Sequence, residues 1–205
     1  MTIADSATTG FIDQAEVERL LKKAHLYPVG IPVDSVNGKA IEKCLLANGF
    51  VKTAVCYKSA GGEVNVVITQ RQPVMRVMAV NGDDYYIDET GNQMEPWGYH
   101  KNLVVATGHI DSAYAKNLLV NLGLYLQDHP FWDSQVVQVN VAEDKRVSMV
   151  MRVGTDVLVD FGELDSIDRK FRHLKVFYEK VMPEVGWDTY KSINLEYRNQ
   201  IVCRK

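Results

Sequence analysis

One stretch of the chain, residues 63–92, constrains the fold most because a strong strand pattern within it is cut short by a proline. Apolar β-branched residues alternate with neighbours over residues 63–70, and this period of two predicts a strand. Pro73 cannot donate a hydrogen bond to a sheet, and it biases Gln72 toward an extended conformation. We therefore expect the chain to leave one sheet before Pro73 and to begin a strand of a second sheet at Val74.

Two turn signals divide the rest of this stretch into short strands. Asn81-Gly82 favours a hairpin turn between strands predicted at residues 74–80 and 84–88. Residues 89–92 are also rich in residue types that tolerate a positive φ, so a second turn is expected there. The sequence therefore predicts a three-stranded meander.

The chain before residue 63 predicts two helices that pack on a small sheet. Asp13 can cap a helix over residues 14–24, whose apolar residues recur at i, i+3, i+4 and i+7. Asn37 can cap a second helix, and Asn48-Gly49 is expected to end it in the left-handed conformation. Strands are expected at residues 2–5, 51–58 and 63–70. The resulting order of strand, helix, helix, strand, strand is an α+β layer pair.

The chain beyond residue 92 predicts more strands and two longer amphipathic helices. Strands are expected at residues 103–107, 135–141, 146–153, 157–161, 192–197 and 200–203. One helix begins at Asp111 or Ser112 and must end before Pro130. Its expected apolar stripe consists of Ala115, Leu118, Leu119, Leu122 and Leu126. The other helix covers residues 165–182. Its cationic residues, which are expected on the solvent side, are Arg169, Lys170, Arg172 and Lys175.

The composition indicates a globular chain without the charge pattern that nucleic acids require. Of the 205 residues, 46% are apolar and 24% are charged, which suffices for one large core or two small ones. The net charge is −3 and the basic residues are scattered, so binding to DNA or RNA is not expected. No run in the sequence approaches the ~20 apolar residues of a membrane span.

The residues that could carry chemistry form no catalytic or metal-binding motif. Cys44, Cys56 and Cys203 are odd in number and do not cluster, which argues against a disulfide framework, although a Cys44 to Cys56 bridge stays an alternative. No two of the five histidines have a ligand spacing, and His109-Ile110-Asp111 is better explained as the entry to a helix. The sequence predicts neither a metal nor a cofactor.

Two motifs resemble the bacterial cell division protein FtsQ (DivIB) family. The first is the sequence around Pro73 followed by an aromatic hairpin, and it resembles the family's junction between a POTRA domain and a β domain. Its matching residues are Gln70, Arg71, Pro73, Tyr86, Asp88 and Gly91. The second is the closing hairpin, residues 193–202, where Glu196 stands at a position that is usually basic in the family.

The resemblance implies an architecture and a function for the whole chain. Residues 1–72 would be a POTRA-like domain and residues 73–205 an FtsQ-type β domain with two packed helices, an α+β fold. The protein would be a noncatalytic scaffold of the septum that binds small coiled-coil division proteins of the FtsB and FtsL types and helps to control the septal peptidoglycan synthase. It would be a single-pass protein of the inner membrane that faces the periplasm, with a membrane helix upstream of Met1.

The resemblance also implies a partner-binding edge at the end of the β domain. Its residues are Tyr197, Arg198, Asn199, Gln200, Ile201 and Val202. No later strand follows residues 200–203, so the backbone of that strand could pair with a strand of the partner. From the sequence alone, Tyr197 is as well explained by a place in the core as by a role as an interface anchor.

A different class of function rests on acidic turns and aromatic residues. Asp83-Asp84 and Asp88-Glu89 could bind a cation, although acidic residues are common at hairpin ends. The aromatic residues could line a ligand groove, although such residues usually complete a core. They are Tyr85, Tyr86, Trp97, Tyr99, Trp132 and Trp187. A periplasmic hydrolase or ligand-binding domain is therefore the alternative to a scaffold.

Overall fold

The computed structural model describes residues 2–3, 12–95, 103–153 and 157–205, and these form two compact units that meet in sequence between Gln72 and Pro73. The first unit contains β1 (Thr2–Ile3), α1 (Gln14–Lys23), a 3-10 turn (Val33–Ser35), α2 (Gly38–Leu46), β2 (Val51–Lys58) and β3 (Val64–Gln70). Its sheet has the order β1-β3-β2, in which β1 is parallel and β2 antiparallel to β3. The predicted order of strand, helix, helix, strand, strand is confirmed.

Both predicted caps of the first unit are confirmed. The carboxylate of Asp13 accepts a hydrogen bond from the Glu16 N–H at 2.8 Å, and the side chain of Asn37 accepts one from the Ala40 N–H at 3.1 Å. The predicted left-handed stop at Asn48-Gly49 is wrong, because neither residue has a positive φ. The Asn48 side chain accepts a hydrogen bond from the Phe50 N–H instead, and this contact turns the chain into β2.

The second unit is a large mixed sheet with several helices. Its strands are β4 (Pro73–Ala79), β5 (Asp84–Asp88), β6 (Gln93–Met94), β7 (Val105–Gly108), β8 (Val136–Val141), β9 (Val147–Met151), β10 (Leu158–Gly162), β11 (Ser192–Asn194) and β12 (Val202–Arg204). Its helices are α3 (Ser112–Tyr114), a π-helical segment (Ala115–Leu119), α4 (Val120–Asp128), α5 (Pro130–Gln135), α6 (Ile167–Lys180) and α7 (Met182–Val185).

The described strands of this unit pair in the order β12-β11-β10-β9-β8-β7-β4-β5-β6. The predicted meander of β4, β5 and β6 is confirmed, and so is the change of sheet between β3 and β4 at Pro73. The sequence did not reveal that β7 is parallel to β4 and β8, or that β10 is parallel to β11. Parallel neighbours require a crossover. Helices supply it between β7 and β8 and between β10 and β11, whereas the connection from β4 to β7 contains β5 and β6.

One apolar core lies between the helices and one face of this sheet. Strand β9 shows the alternation, because Val147, Met149 and Met151 are buried while Ser148 and Val150 are only partly so. Helix α4 packs on β4, where a Cβ at Gly123 would lie 3.0 Å from a methyl carbon of Val74. The helices therefore cover one face, and alternate residues of the central strands keep partial contact with solvent on the other.

Two expectations about the helices are wrong. Leu118 is 37% exposed, because the π-helical segment adds a residue to the turn and rotates Leu118 out of the buried stripe. Lys170 is only 2% exposed, whereas we expected it in solvent. Its Nζ donates to the Glu163 carbonyl at 2.8 Å and to the Asp165 carboxylate, and it lies 4.9 Å from the centre of the Phe161 ring. These partners compensate for the burial of its charge.

Candidate partner-binding edge

The C-terminal hairpin lies at one end of the large sheet. Strand β12 is antiparallel to β11, with Ile193 opposite Cys203. Among the described strands β12 has no other neighbour, so it forms the edge of the sheet in the part of the chain that the structure describes. We call this open side of β12 together with residues 195–201 the C-terminal edge. Open sheet edges can accept a strand from another chain.

The loop of this hairpin is longer than predicted. We expected strands over residues 192–197 and 200–203 with a turn at Arg198-Asn199, but β11 ends at Asn194 and β12 begins at Val202. The Asn194 side chain accepts a hydrogen bond from the Glu196 N–H at 2.9 Å, and the Leu195 N–H donates to the Asp160 carbonyl at 2.8 Å. The first contact competes with the pairing of β11 with β12, and the second holds the chain beside β10 instead.

The residues predicted to bind a partner lie on this loop and at the start of β12. Arg198, Asn199 and Gln200 are exposed, and Ile201 is half-buried against the core. Val202 is 37% exposed and is the one predicted binding residue that lies within a described strand.

Tyr197 is 49% exposed, so a place in the core does not account for it. A core tyrosine of the same unit gives the contrast. Tyr178 is 8% exposed, and burial raises its pKa to about 12. Tyr197 is instead half exposed on the loop that leads to β12.

A cationic side chain supports the hairpin loop. Arg169 Nη1 on α6 donates to the Arg198 carbonyl at 3.1 Å, and the two arginines line a surface cleft of about 670 Å³ together with Asp165, Ser166, Ile167 and Asp168.

Cys203 on β12 is a free thiol, and burial raises its pKa. A protonated, half-buried thiol packs as a small apolar side chain rather than acting as a nucleophile.

One contact to this loop lies outside the sequence predictions. The Arg146 guanidinium donates to both carboxylate oxygens of Glu196, at 3.0 and 2.8 Å. The two residues are far apart in sequence, and no local pattern links them. The one feature of the sequence that pointed to this contact was the acidic residue at position 196, where the FtsQ family usually has a basic residue.

The acidic turns do not converge on a cation site. Asp84 pairs with Arg76, whose guanidinium donates to it at 2.9 and 2.7 Å and lowers its pKa. The Asp83 N–H donates to the Asn81 side chain, and Asp88 accepts hydrogen bonds within its own turn. In the described part of the chain, no three His, Cys, Asp or Glu side chains are grouped to hold a metal ion.

The His109-Ile110-Asp111 sequence forms the entry to a helix. The Asp111 carboxylate accepts a hydrogen bond from the Tyr114 N–H at 2.8 Å, and Lys145 lies 3.1 Å away. These two contacts, the backbone bond first, lower the pKa of Asp111. The side chain therefore caps α3, as the sequence predicts.

Most of the described aromatic residues belong to the core. Tyr85, Tyr86 and Trp132 are buried, and Trp187 packs against the core; Trp97 and Tyr99 lie outside the described residues. A cleft of about 320 Å³ is lined by Tyr125, Asp128, His129, Pro130, Phe131, Trp132, Asp168, Arg172 and Lys175. Some of its polar groups have internal partners, because His129 Nδ1 contacts the Tyr125 carbonyl at 2.7 Å and Asp168 pairs with Arg172.

Comparison with known protein families gives two matches, which together cover most of the chain. Residues 72–204 match the family described as FtsQ/DivIB, C-terminal related. The chain belongs to this family. Residues 1–69 match the POTRA-like domain, which confirms both the predicted resemblance and the α+β fold class. No curated protein matches the chain.

Membership of the FtsQ/DivIB family implies a role in cell division. The family is a noncatalytic division scaffold with protein partners in the divisome, and it is membrane-anchored and faces the periplasm. Within the residues that the structure describes, no helix has the length and apolar character to cross a membrane.

The junction motif of the FtsQ/DivIB family has clear structural roles in the first unit. Gln70 is 2% exposed, and its side-chain oxygen accepts a hydrogen bond from the Ile12 N–H at 2.9 Å. The Arg71 N–H donates to the Phe50 carbonyl at 2.8 Å. The residues at the end of β3 therefore fix the segments that precede α1 and β2.

The rest of the motif shapes the meander of the second unit. Pro73 is the first residue of β4, where a missing N–H is tolerated, and Tyr86 is buried on β5. Asp88 is 2% exposed and accepts hydrogen bonds from the Thr90 N–H, the Thr90 hydroxyl and the Asn92 N–H. Gly91 has a φ of +76°. Asp88 and Gly91 therefore define the second turn.

Proposed function

We propose that this protein is a noncatalytic scaffold of the division septum that binds FtsB-type and FtsL-type proteins through its C-terminal edge. The observation that carries the proposal is the open side of β12 together with the exposure of Tyr197 on the loop that leads to this strand. Family membership supports a division role and protein partners.

The recognition mechanism would be the addition of a partner strand to β12. Backbone N–H and C=O groups on the open side of β12 would form the ladder, and Tyr197 and Val202 would contact the partner side chains. Tyrosine is a common interface hot spot because it is large, rigid and amphipathic. Strand β12 is short, so one added strand gives a modest affinity, and further contacts within a multiprotein complex would be required.

The domain layout of the proposal follows the family match. Residues 1–72 would be the POTRA-like domain and residues 73–205 the FtsQ-type domain. The full-length protein would be a single-pass inner-membrane protein with both domains in the periplasm, and the assembled complex would help to control the septal peptidoglycan synthase.

A binding measurement with purified proteins tests this proposal. Calorimetry with the extracytoplasmic segment of the FtsB-type protein from the same organism should show that Tyr197→Ala weakens binding by about 2 kcal/mol or more. The melting temperature should change little, because Tyr197 is 49% exposed.

A matched control is present in the first unit. Tyr57 is 51% exposed on β2, so Tyr57→Ala removes the same ring at almost the same exposure. It should leave the affinity for the FtsB-type segment unchanged. Unchanged binding by Tyr197→Ala together with a large loss of stability would retire the interface role of Tyr197.

A further inference from the structure

A charged network joins the loop of the C-terminal edge to the body of the sheet. The Arg146 guanidinium contacts Glu196 through two hydrogen bonds and Asp160 Oδ2 at 3.4 Å. The Asn194 side-chain amide donates to the same Asp160 oxygen at 2.8 Å. We call these four residues the Arg146 clamp.

The four residues of the clamp come from different parts of the unit. Arg146 immediately precedes β9, Asp160 lies on β10, and Asn194 ends β11. Glu196 is on the loop that leads to β12 and directly precedes Tyr197. The clamp therefore fixes the loop at the residue before the proposed anchor.

Backbone contacts bring Glu196 close to β10. The Leu195 N–H donates to the Asp160 carbonyl, and a Cβ at Gly162 would lie 3.3 Å from the Glu196 Cβ. Gly162 has a φ of +71° and no side chain, so the side chain of Glu196 can lie close to the end of β10. The loop thus approaches the sheet closely on one side, and the ion pair holds it there.

The geometry of the clamp favours positioning over partner contact for Glu196. Its side chain is 41% exposed and that of Arg146 is 40% exposed, but both carboxylate oxygens of Glu196 bind the one guanidinium. Bidentate pairing of arginine with a carboxylate fixes direction as well as distance. The contact with Glu196, followed by the charge of Asp160, raises the pKa of Arg146, and an arginine side chain carries its charge throughout the physiological pH range.

We propose that Arg146 is a positioning residue that holds residues 195–201 in the conformation that presents Tyr197 and β12 to the partner. This inference rests on the proposed function of the C-terminal edge. It assigns Glu196, which replaces the usual basic residue of the FtsQ family, to an intramolecular contact. An ordered loop lowers the entropy that is lost when the partner binds.

Two measurements on the whole chain test the clamp. Hydrogen exchange of the free protein should become several-fold faster over residues 195–204 in Arg146→Ala, because the loop loses its anchor. The Kd for the FtsB-type segment should rise roughly fivefold. This rise corresponds to the upper end of the free energy that a half-exposed ion pair contributes. Glu196→Ala should have similar effects, and the double variant should be no worse than either single variant.

A matched control lies at the other end of the same sheet. Arg76 makes a bidentate pair with Asp84 at nearly the same exposure, 35% and 38% for the two side chains. Arg76→Ala should change neither the exchange of residues 195–204 nor the affinity. Equal effects of Arg76→Ala and Arg146→Ala would show general destabilisation and would overturn the inference.

The remaining outcomes separate the clamp from the proposed function. Unchanged exchange in Arg146→Ala, or additive effects in the double variant, would overturn the clamp itself. Faster exchange without a change in Kd would overturn the positioning role, while loss of binding in Tyr197→Ala would still support the C-terminal edge. If the wild-type protein fails to bind the segment, the proposed function and the positioning role both fail.

Discussion

Replacing Gly91 by alanine should destabilise the second unit through a backbone clash. Gly91 has a φ of +76°, and a Cβ there would lie 2.7 Å from the carbonyl oxygen of Lys116 and 3.0 Å from its Cα. Alanine in the left-handed conformation costs about 1–2 kcal/mol. Because the atoms that it meets are backbone, relief of the clash requires a shift of the π-helical segment, which costs about 1–3 kcal/mol more. The expected loss in the free energy of unfolding is therefore about 2–5 kcal/mol.

Gly82 offers the control that separates the two contributions. It has a φ of +91° in the first turn of the same meander, but a Cβ there would have no atom within 4 Å. Gly82→Ala should therefore lose only the conformational part, about 1–2 kcal/mol. Both variants reduce the entropy of the unfolded chain equally, so that effect cancels. Urea unfolding of the three proteins measures the difference, and equal losses for both variants would refute the packing of Gly91 against Lys116.

Two further predictions concern charged residues of the second unit. Lys170→Met keeps most of the packing but removes the donor to the Glu163 carbonyl and the Asp165 carboxylate. Urea unfolding should therefore show that the free energy of unfolding falls by about 1–3 kcal/mol. A fall of less than about 0.5 kcal/mol would contradict the role of the ammonium group. The lowered pKa of Asp111 stabilises the fold above the unfolded value of about 3.9, and this contribution disappears as the pH falls through the folded value. Asparagine is also a good cap, so Asp111→Asn keeps the helix start but loses the titrating carboxylate. Below about pH 4 the melting temperature of this variant should fall less steeply with pH than that of the wild type. Parallel plots of melting temperature against pH would contradict this prediction.

The features that were predictable from the sequence depend on neighbouring residues. Asp13 and Asn37 cap helices through N–H groups three residues away, and Pro73 prevents β3 from continuing. Glycine at positions 82 and 91 marks turns because few other residues adopt a positive φ. The family resemblance likewise rests on motifs made of residues that are close together in the sequence.

The features that were not predictable depend on contacts between distant residues. Lys170 lies in a helical charge run, and its burial follows from a partner on the preceding loop and from the Phe161 ring. The hairpin predicted at residues 192–203 was too regular, because Arg146 and Asp160 draw the loop toward the sheet. The parallel pairing of β7 with β4 and β8 likewise depends on crossovers, which strand patterns alone do not determine.

Site-specific photocrosslinking in living cells tests the C-terminal edge most directly. A benzoylphenylalanine in place of Val202, which is 37% exposed on β12, should crosslink to the FtsB-type protein. The same probe in place of Val176, which is 46% exposed on α6, should give no such adduct. An adduct from position 176 but not from position 202 would contradict partner binding at the C-terminal edge.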